Sequence, residues 1–117
     1  MESSKLKPYI DDEIRQASAL SETGQDAEAF SHLERAHVLG QAMTREHTRV
    51  HWLMFRSALR RGDVREIWGQ LVRIIGAATK TPLGIYPTGN TGGSNVWFFK
   101  PMPVPEDLKA ILDRTGK

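Results

Sequence analysis

The sequence predicts an all-α protein, an antiparallel helical-hairpin bundle of four main helices that continues into an irregular Gly/Pro-rich C-terminal arm and a short final helix. Three observations carry that class. Apolar residues recur at three- and four-residue intervals between Pro8 and Ala78. Polar breaks at 21–25, 40–44 and 61–63, each containing or flanking a glycine, divide this stretch into pieces of helical length. From Thr79 to Pro103 the periodicity stops, and glycines and prolines accumulate. At 117 residues the chain makes one domain, with a helical core over 8–78, a packed arm over 79–103 and a terminal helix over 105–115.

Met1 to Lys7 read as loose polar sequence, and Pro8 suits the first turn of a helix with Ile10, Ile14, Ala17 and Leu20 on one face. Gly24 interrupts it, and Asp26 is placed to cap a second helix carrying Phe30 and Leu33. Thr44 is expected to cap a long third helix running through Arg60. Asp63, followed three residues later by Glu66, has the form of a capping box that ties down two backbone amides. The fourth helix then runs to Ala78, with Val64, Ile67, Trp68, Leu71, Ile74 and Ile75 as its expected core side. In the arm, Val96 to Phe99 form a dense apolar cluster expected to be buried on the helices, paired with Leu83 to Tyr86 as a short hairpin. Pro105 opens the final helix, which carries Leu108, Ile111 and Leu112 and stops at Gly116.

With 39% apolar and 26% charged residues the composition is that of an ordinary globular protein. The longest apolar runs fall far short of the roughly 20 residues a membrane helix needs, and no signal-peptide pattern follows Met1, so a cytoplasmic location is expected. There is no cysteine, which excludes disulfides and thiolate chemistry and leaves imidazole and carboxylate as the strong metal ligands. A formal charge of +2 does not call for a nucleic-acid partner.

All four histidines lie between His32 and His51. On the third helix His47 and His51 are four apart and share one face; on the second, Glu34 and His37 are three apart, beside the apolar line of Ala29, Leu33 and Ala36. Closing the hairpin about residues 40–44 brings His37 against His47 and His51. The expected site is therefore His37, His47, His51 and Glu34, a nitrogen and oxygen set that suits divalent zinc, nickel, copper or cobalt. His32 sits about 140° around the helix from His37 and is left for solvent or another element.

The run Pro87-Thr-Gly-Asn-Thr-Gly-Gly lacks the Lys-Ser/Thr ending and strand-to-helix setting of a phosphate loop, and reads instead as a turn in which Gly92 and Gly93 take positive φ. Arg45, Arg49, Arg56 and Arg60 make a stripe opposite the histidines, a solvated face paired with acids or a surface for a protein partner. No serine stands in a nucleophile-elbow context, so a binding protein is expected rather than an enzyme.

Two resemblances add to this reading. Gly24, Ala29, Leu33 and Ala36 stand at tetratricopeptide-repeat spacing, and Gly62, Ile67, Leu71 and Ile74 repeat it loosely; the glycines are 38 apart (24 to 62) where ~34 is usual. The strings LERAHVLGQ, His47 with His51 and Trp52, PTGNTGG and KPMPVPEDL resemble an uncharacterised bacterial family of domains of unknown function. That resemblance implies no activity, but its members are associated with heavy-metal resistance genes, which points toward metal handling. The sequence thus reads as a small metal-binding protein with a His/Glu site between two helices; the alternative is a tetratricopeptide-like interaction module whose histidines are structural.

Overall fold

The computed structural model describes residues 2–83, 89–94 and 100–115. Among the described residues five helices follow one another, α1 (Glu2–Glu22), α2 (Asp26–Gly40), α3 (Thr44–Arg61), α4 (Val64–Lys80) and α5 (Glu106–Arg114), with a 3-10 turn at Thr81–Leu83 closing α4. There is no strand among the described residues. Consecutive helices pack on one another, α1 on α2, α2 on α3 and α3 on α4, while α5 returns to lie against α2.

Helix α1 begins at Glu2, ahead of the expected start, and carries Pro8 inside it. Leu6 explains the extension, since it lies four residues before Ile10 on the same face and both are buried, so packing continues the helix through a residue that lacks an amide donor. The core is built from Leu6, Ile10 and Ala17 of α1, Ala29, Leu33, Ala36, Val38 and Leu39 of α2, Val50 and Met54 of α3, and Leu108 of α5. Leu108 is fully buried and anchors the final helix, and Arg35 of α2 bonds both Glu13 of α1 and Asp107 of α5. The expected partners Val96 to Phe99 and the 84–86 part of their proposed hairpin lie outside the described residues.

The caps differ in detail from the sequence expectation. Gln25 and Met43, not Asp26 and Thr44, are the residues that precede α2 and α3, and neither makes a side-chain cap bond. Gly62 ends α3 in the left-handed region at φ 71°, as a C-terminal glycine does. Asp63 does cap α4, accepting from the Glu66 amide at 3.1 Å. The reciprocal half of the box is missing, because the Glu66 carboxylate turns to Ser94 and Gln70 instead.

Helix α4 is rotated from the expected orientation. Val64, Trp68 and Ile75 point outward, 64%, 65% and 66% exposed, while Glu66, Gln70 and Ala77 are its buried residues. Ile67, Leu71 and Ile74 are only half-buried. Residues 66, 70, 73 and 77 share one helical face, so α4 turns a mainly polar side toward α3 and the loop at 89–94. The reason lies in the histidines.

Candidate metal centre

Helices α2 and α3 place the three histidines. His37 is near the C-terminal end of α2, and His47 and His51 are one turn apart near the start of α3, on the face that also buries Val50 and Met54. The short connection between the helices folds them back, and the rings meet with centroids 4.7 Å (His37 and His47), 4.6 Å (His37 and His51) and 4.9 Å (His47 and His51) apart. The His37 Nε2 lies 3.0 Å from the Nε2 of His47 and 3.0 Å from that of His51. All three residues are buried.

Each outer nitrogen is held by an oxygen. The His37 Nδ1 lies 2.7 Å from the Asn90 carbonyl, the His51 Nδ1 2.6 Å from the Gln70 side-chain oxygen, and the His47 Nδ1 2.7 Å from the Thr81 hydroxyl. A backbone carbonyl only accepts, so His37 carries its proton on Nδ1. The Gln70 amide nitrogen donates to Glu66 at 2.6 Å and to the Gly92 carbonyl at 2.8 Å, which fixes the orientation of the amide and leaves its oxygen to accept from His51 Nδ1. The inner Nε2 atoms of His37 and His51 are therefore bare lone pairs that face each other.

Protonation does not relieve this arrangement near neutral pH. Burial, with the neighbouring imidazoles adding to it, holds His37 well below the usual histidine value. Burial and the His47 charge lower His51 to about 3, and burial lowers His47 to about 4. Two bare acceptors thus face each other across 3.0 Å, with the Nε2 of His47 equally close to that of His37, and a cation is what such a set accommodates. Four-coordinate zinc with Zn–N of roughly 2.0–2.1 Å implies N···N separations of about 3.3 Å, within a few tenths of an ångström of those found.

The loop at 89–94 closes over His37. The Gly89 amide donates to Gln41, the Gly92 amide to Asn90 Oδ1, the Asn90 side-chain amide to the Lys100 carbonyl, and the Ser94 amide to Glu66. Gly92 has φ +89°, and a Cβ there would lie 2.7 Å from His37 Cδ2 and 2.9 Å from its Nε2, so only glycine lets the backbone come this close. Among the described residues of the run, Gly89, at φ +81°, is the other left-handed one, in place of the expected Gly93. The segment read from sequence as a turn is thus the outer wall of the histidine cluster.

Of the four site residues expected from sequence, the structure gathers three: the ligand atoms of His37, His47 and His51 all lie within 4.8 Å of one another. Glu34 stands one turn before His37 on α2, half-buried and outside that group, its carboxyl pKa raised by burial and by the Glu66 charge. His32 turns to α1, where its Nδ1 meets Glu13 at 2.7 Å, in keeping with its exclusion. The arginine stripe is divided: Arg49 bonds Asp11 and Glu46, Arg60 lies 3.6 Å from Asp26, and Arg45 and Arg56 are exposed. Sequence reasoning missed Gln70, Asn90, Thr81 and Glu66; the one available signal was the cluster of polar residues 66, 70 and 73 along a single face of the fourth helix.

No helix among the described residues is long and apolar enough to cross a membrane. No curated protein and no solved structure matches the chain. A family model does, over residues 4–112, and it covers both the histidine hairpin and the loop that closes on it. The chain therefore belongs to the family described as Protein of unknown function (DUF3703).

Proposed function

We propose that this protein binds one divalent transition metal ion per chain through the Nε2 atoms of His37, His47 and His51, and that it serves in cytoplasmic metal handling. The observation that carries the reading is the convergence of three buried Nε2 atoms, at least two of them bare acceptors, whose outer nitrogens are held by oxygens. Metal-ligating histidines are oriented in this way, the second ring nitrogen donating to a carbonyl, amide or hydroxyl oxygen that fixes tautomer and ring direction. Imidazole nitrogen suits zinc, copper, nickel and cobalt, and the lack of any thiolate sets the centre apart from cysteine-rich structural zinc sites. Glu34, one turn before His37 on α2 and outside the ligand group, is an acid whose charge can balance the ion.

Calorimetric titration of the untagged chain with Zn2+ tests this, with stoichiometry checked by elemental analysis. One ion per chain is expected, with binding lost in the His47→Ala, His51→Ala double variant. Equal binding by that variant and the wild type rejects the site. A second reading, an interaction module of tetratricopeptide type, is favoured by the outward stripe of Val64, Trp68, Val72 and Ile75, each more than half exposed. It does not account for the bare acceptors of His37 and His51 that face each other.

A further inference from the structure

We propose that the ion held by His37, His47 and His51 takes a small exogenous monoanion as its fourth ligand, hydroxide in plain water and replaceable by azide or thiocyanate, which makes the centre an open metal site rather than a closed structural one. This rests on the metal reading above and deepens it.

The first argument is a count of donors. The chain has four histidines and no cysteine. Three histidines form the group, and the fourth, His32, is bonded to Glu13. Residues 84–88 (GIYPT) and 95–99 (NVWFF) contain no His, Cys, Asp or Glu, so any further imidazole, thiolate or side-chain carboxylate has to come from the described residues or from Glu2. None of the described carboxylates lies in the ligand group. Glu66, close to Gln70, is already occupied, its oxygens accepting from the Gln70 amide at 2.6 Å and from the Ser94 amide at 3.0 and 3.2 Å. Structural zinc sites close with four protein ligands; three protein ligands and one exogenous one is the arrangement of sites that stay open.

The second argument is charge. With Nδ1 donating to oxygen the imidazoles are neutral ligands, so a divalent ion keeps its full charge in a buried place, where an uncompensated charge is expensive. The charged groups nearest it on α4 are Glu66, which bonds Gln70, and Arg73, and Glu34 on α2 stands close enough to Glu66 to feel its charge. The Arg73 guanidinium, half-buried on α4, is close enough to disfavour protonation of both His37 and His51, and its partner charge is Glu66. With Glu66 matched by Arg73, the ion's charge is left to Glu34 and to whatever binds it directly, and a monoanion in the fourth position reduces it most effectively. Gly92 sets the size, since a Cβ at that residue would already lie 2.9 Å from His37 Nε2. Little room remains on that side, which favours a single-atom or rod-shaped anion.

The test uses the full chain loaded with Co2+, whose visible d–d bands report coordination number and fourth-ligand identity. A saturable change of those bands on adding azide or thiocyanate, at one anion per cobalt and with the two anions competing, is expected. Cobalt bands that azide leaves unmoved at saturating concentration overturn the open site while the metal reading stands. An azide response that appears only in Glu34→Gln identifies Glu34 as the fourth ligand and likewise overturns the proposal. If neither bands nor calorimetric uptake appear, the metal reading itself falls and the open site with it.

Discussion

Gln70 Oε1 accepts from His51 Nδ1 at 2.6 Å, and this one contact ties α4 to the centre that α2 and α3 build. Gln70 is fully buried, and its amide nitrogen continues the link to Glu66 and to the Gly92 carbonyl. Replacing it by Met keeps the approximate volume and removes all three bonds. Loss of an outer partner of a metal-bound histidine weakens affinity by roughly 10- to 100-fold, so Gln70→Met should bind Zn2+ that much less tightly, with helical circular dichroism unchanged. Wild-type affinity in this variant, measured by competition with a chromophoric chelator, would show that the contact does not orient His51.

Two glycine substitutions separate backbone strain from pressure on the site. Gly24 and Gly92 both have positive φ, at 80° and 89°, but a Cβ at Gly24 meets nothing within 4 Å, whereas at Gly92 it meets the His37 ring. Gly24→Ala should cost about 1–2 kcal/mol of stability and leave zinc affinity alone. Gly92→Ala should lower both the melting temperature and zinc affinity, since His37 has to move. Matched affinities for the two variants would contradict the placement of the loop on His37.

Acid should act on the metal-free chain through the three histidines. Their folded pKa values are depressed, to about 4 for His47, about 3 for His51 and well below the usual value for His37, against 6.5 when unfolded. Between those limits the unfolded state binds more protons, so stability rises with pH. The contribution is complete above about pH 6.5 and is lost progressively as pH falls toward 4 and 3, with a slope approaching about 1.4 kcal/mol per pH unit for each histidine. Urea titrations of the metal-free chain between pH 7.5 and 4.5 should show this decline, and a flat profile would remove the buried neutral histidines. In the folded, loaded protein protons compete for Nε2 only near the depressed values, so zinc should be retained below the range of free imidazole.

Helix α4 is fastened more by polar contacts than by apolar burial. Glu66 and Gln70 face inward, Ala77 is its one buried apolar residue, and Trp68 is 65% exposed. Amide hydrogen exchange should therefore find 64–80 less protected than α2 in the metal-free chain, with the gain on zinc binding concentrated in 64–80 and 89–94. Equal gains in α1, which contributes no site residue, would point to a general stiffening instead.

The histidine hairpin was legible because both of its relationships are local. His47 and His51 share a face by their four-residue spacing, and a short turn puts His37 opposite them whatever the rest of the chain does. The oxygens that hold them were not legible: Gln70 is 19 residues from His51, Thr81 is 34 from His47 and Asn90 is 53 from His37, and no periodicity encodes such pairings. The same network misled the reading of α4. Apolar residues are normally taken to face the core, and that rule placed Val64, Trp68 and Ile75 inside, but the polar side of the helix answers to the imidazoles and to the loop at 89–94. Glu66 shows it in one residue, expected to turn back to the N-terminus of its own helix and found bonding Ser94.

The polar buried side of α4 also divides the labour of its two sides. Trp68 and Gln70 are two positions apart on the chain and about 200° apart around the helix, so one belongs to the surface and the other to the centre. Substitutions along Val64, Trp68, Val72 and Ile75 alter what the molecule offers to its surroundings without passing through the histidines, and substitutions at Glu66 and Gln70 do the reverse. Surface and chemistry can be tuned independently on a single seventeen-residue helix.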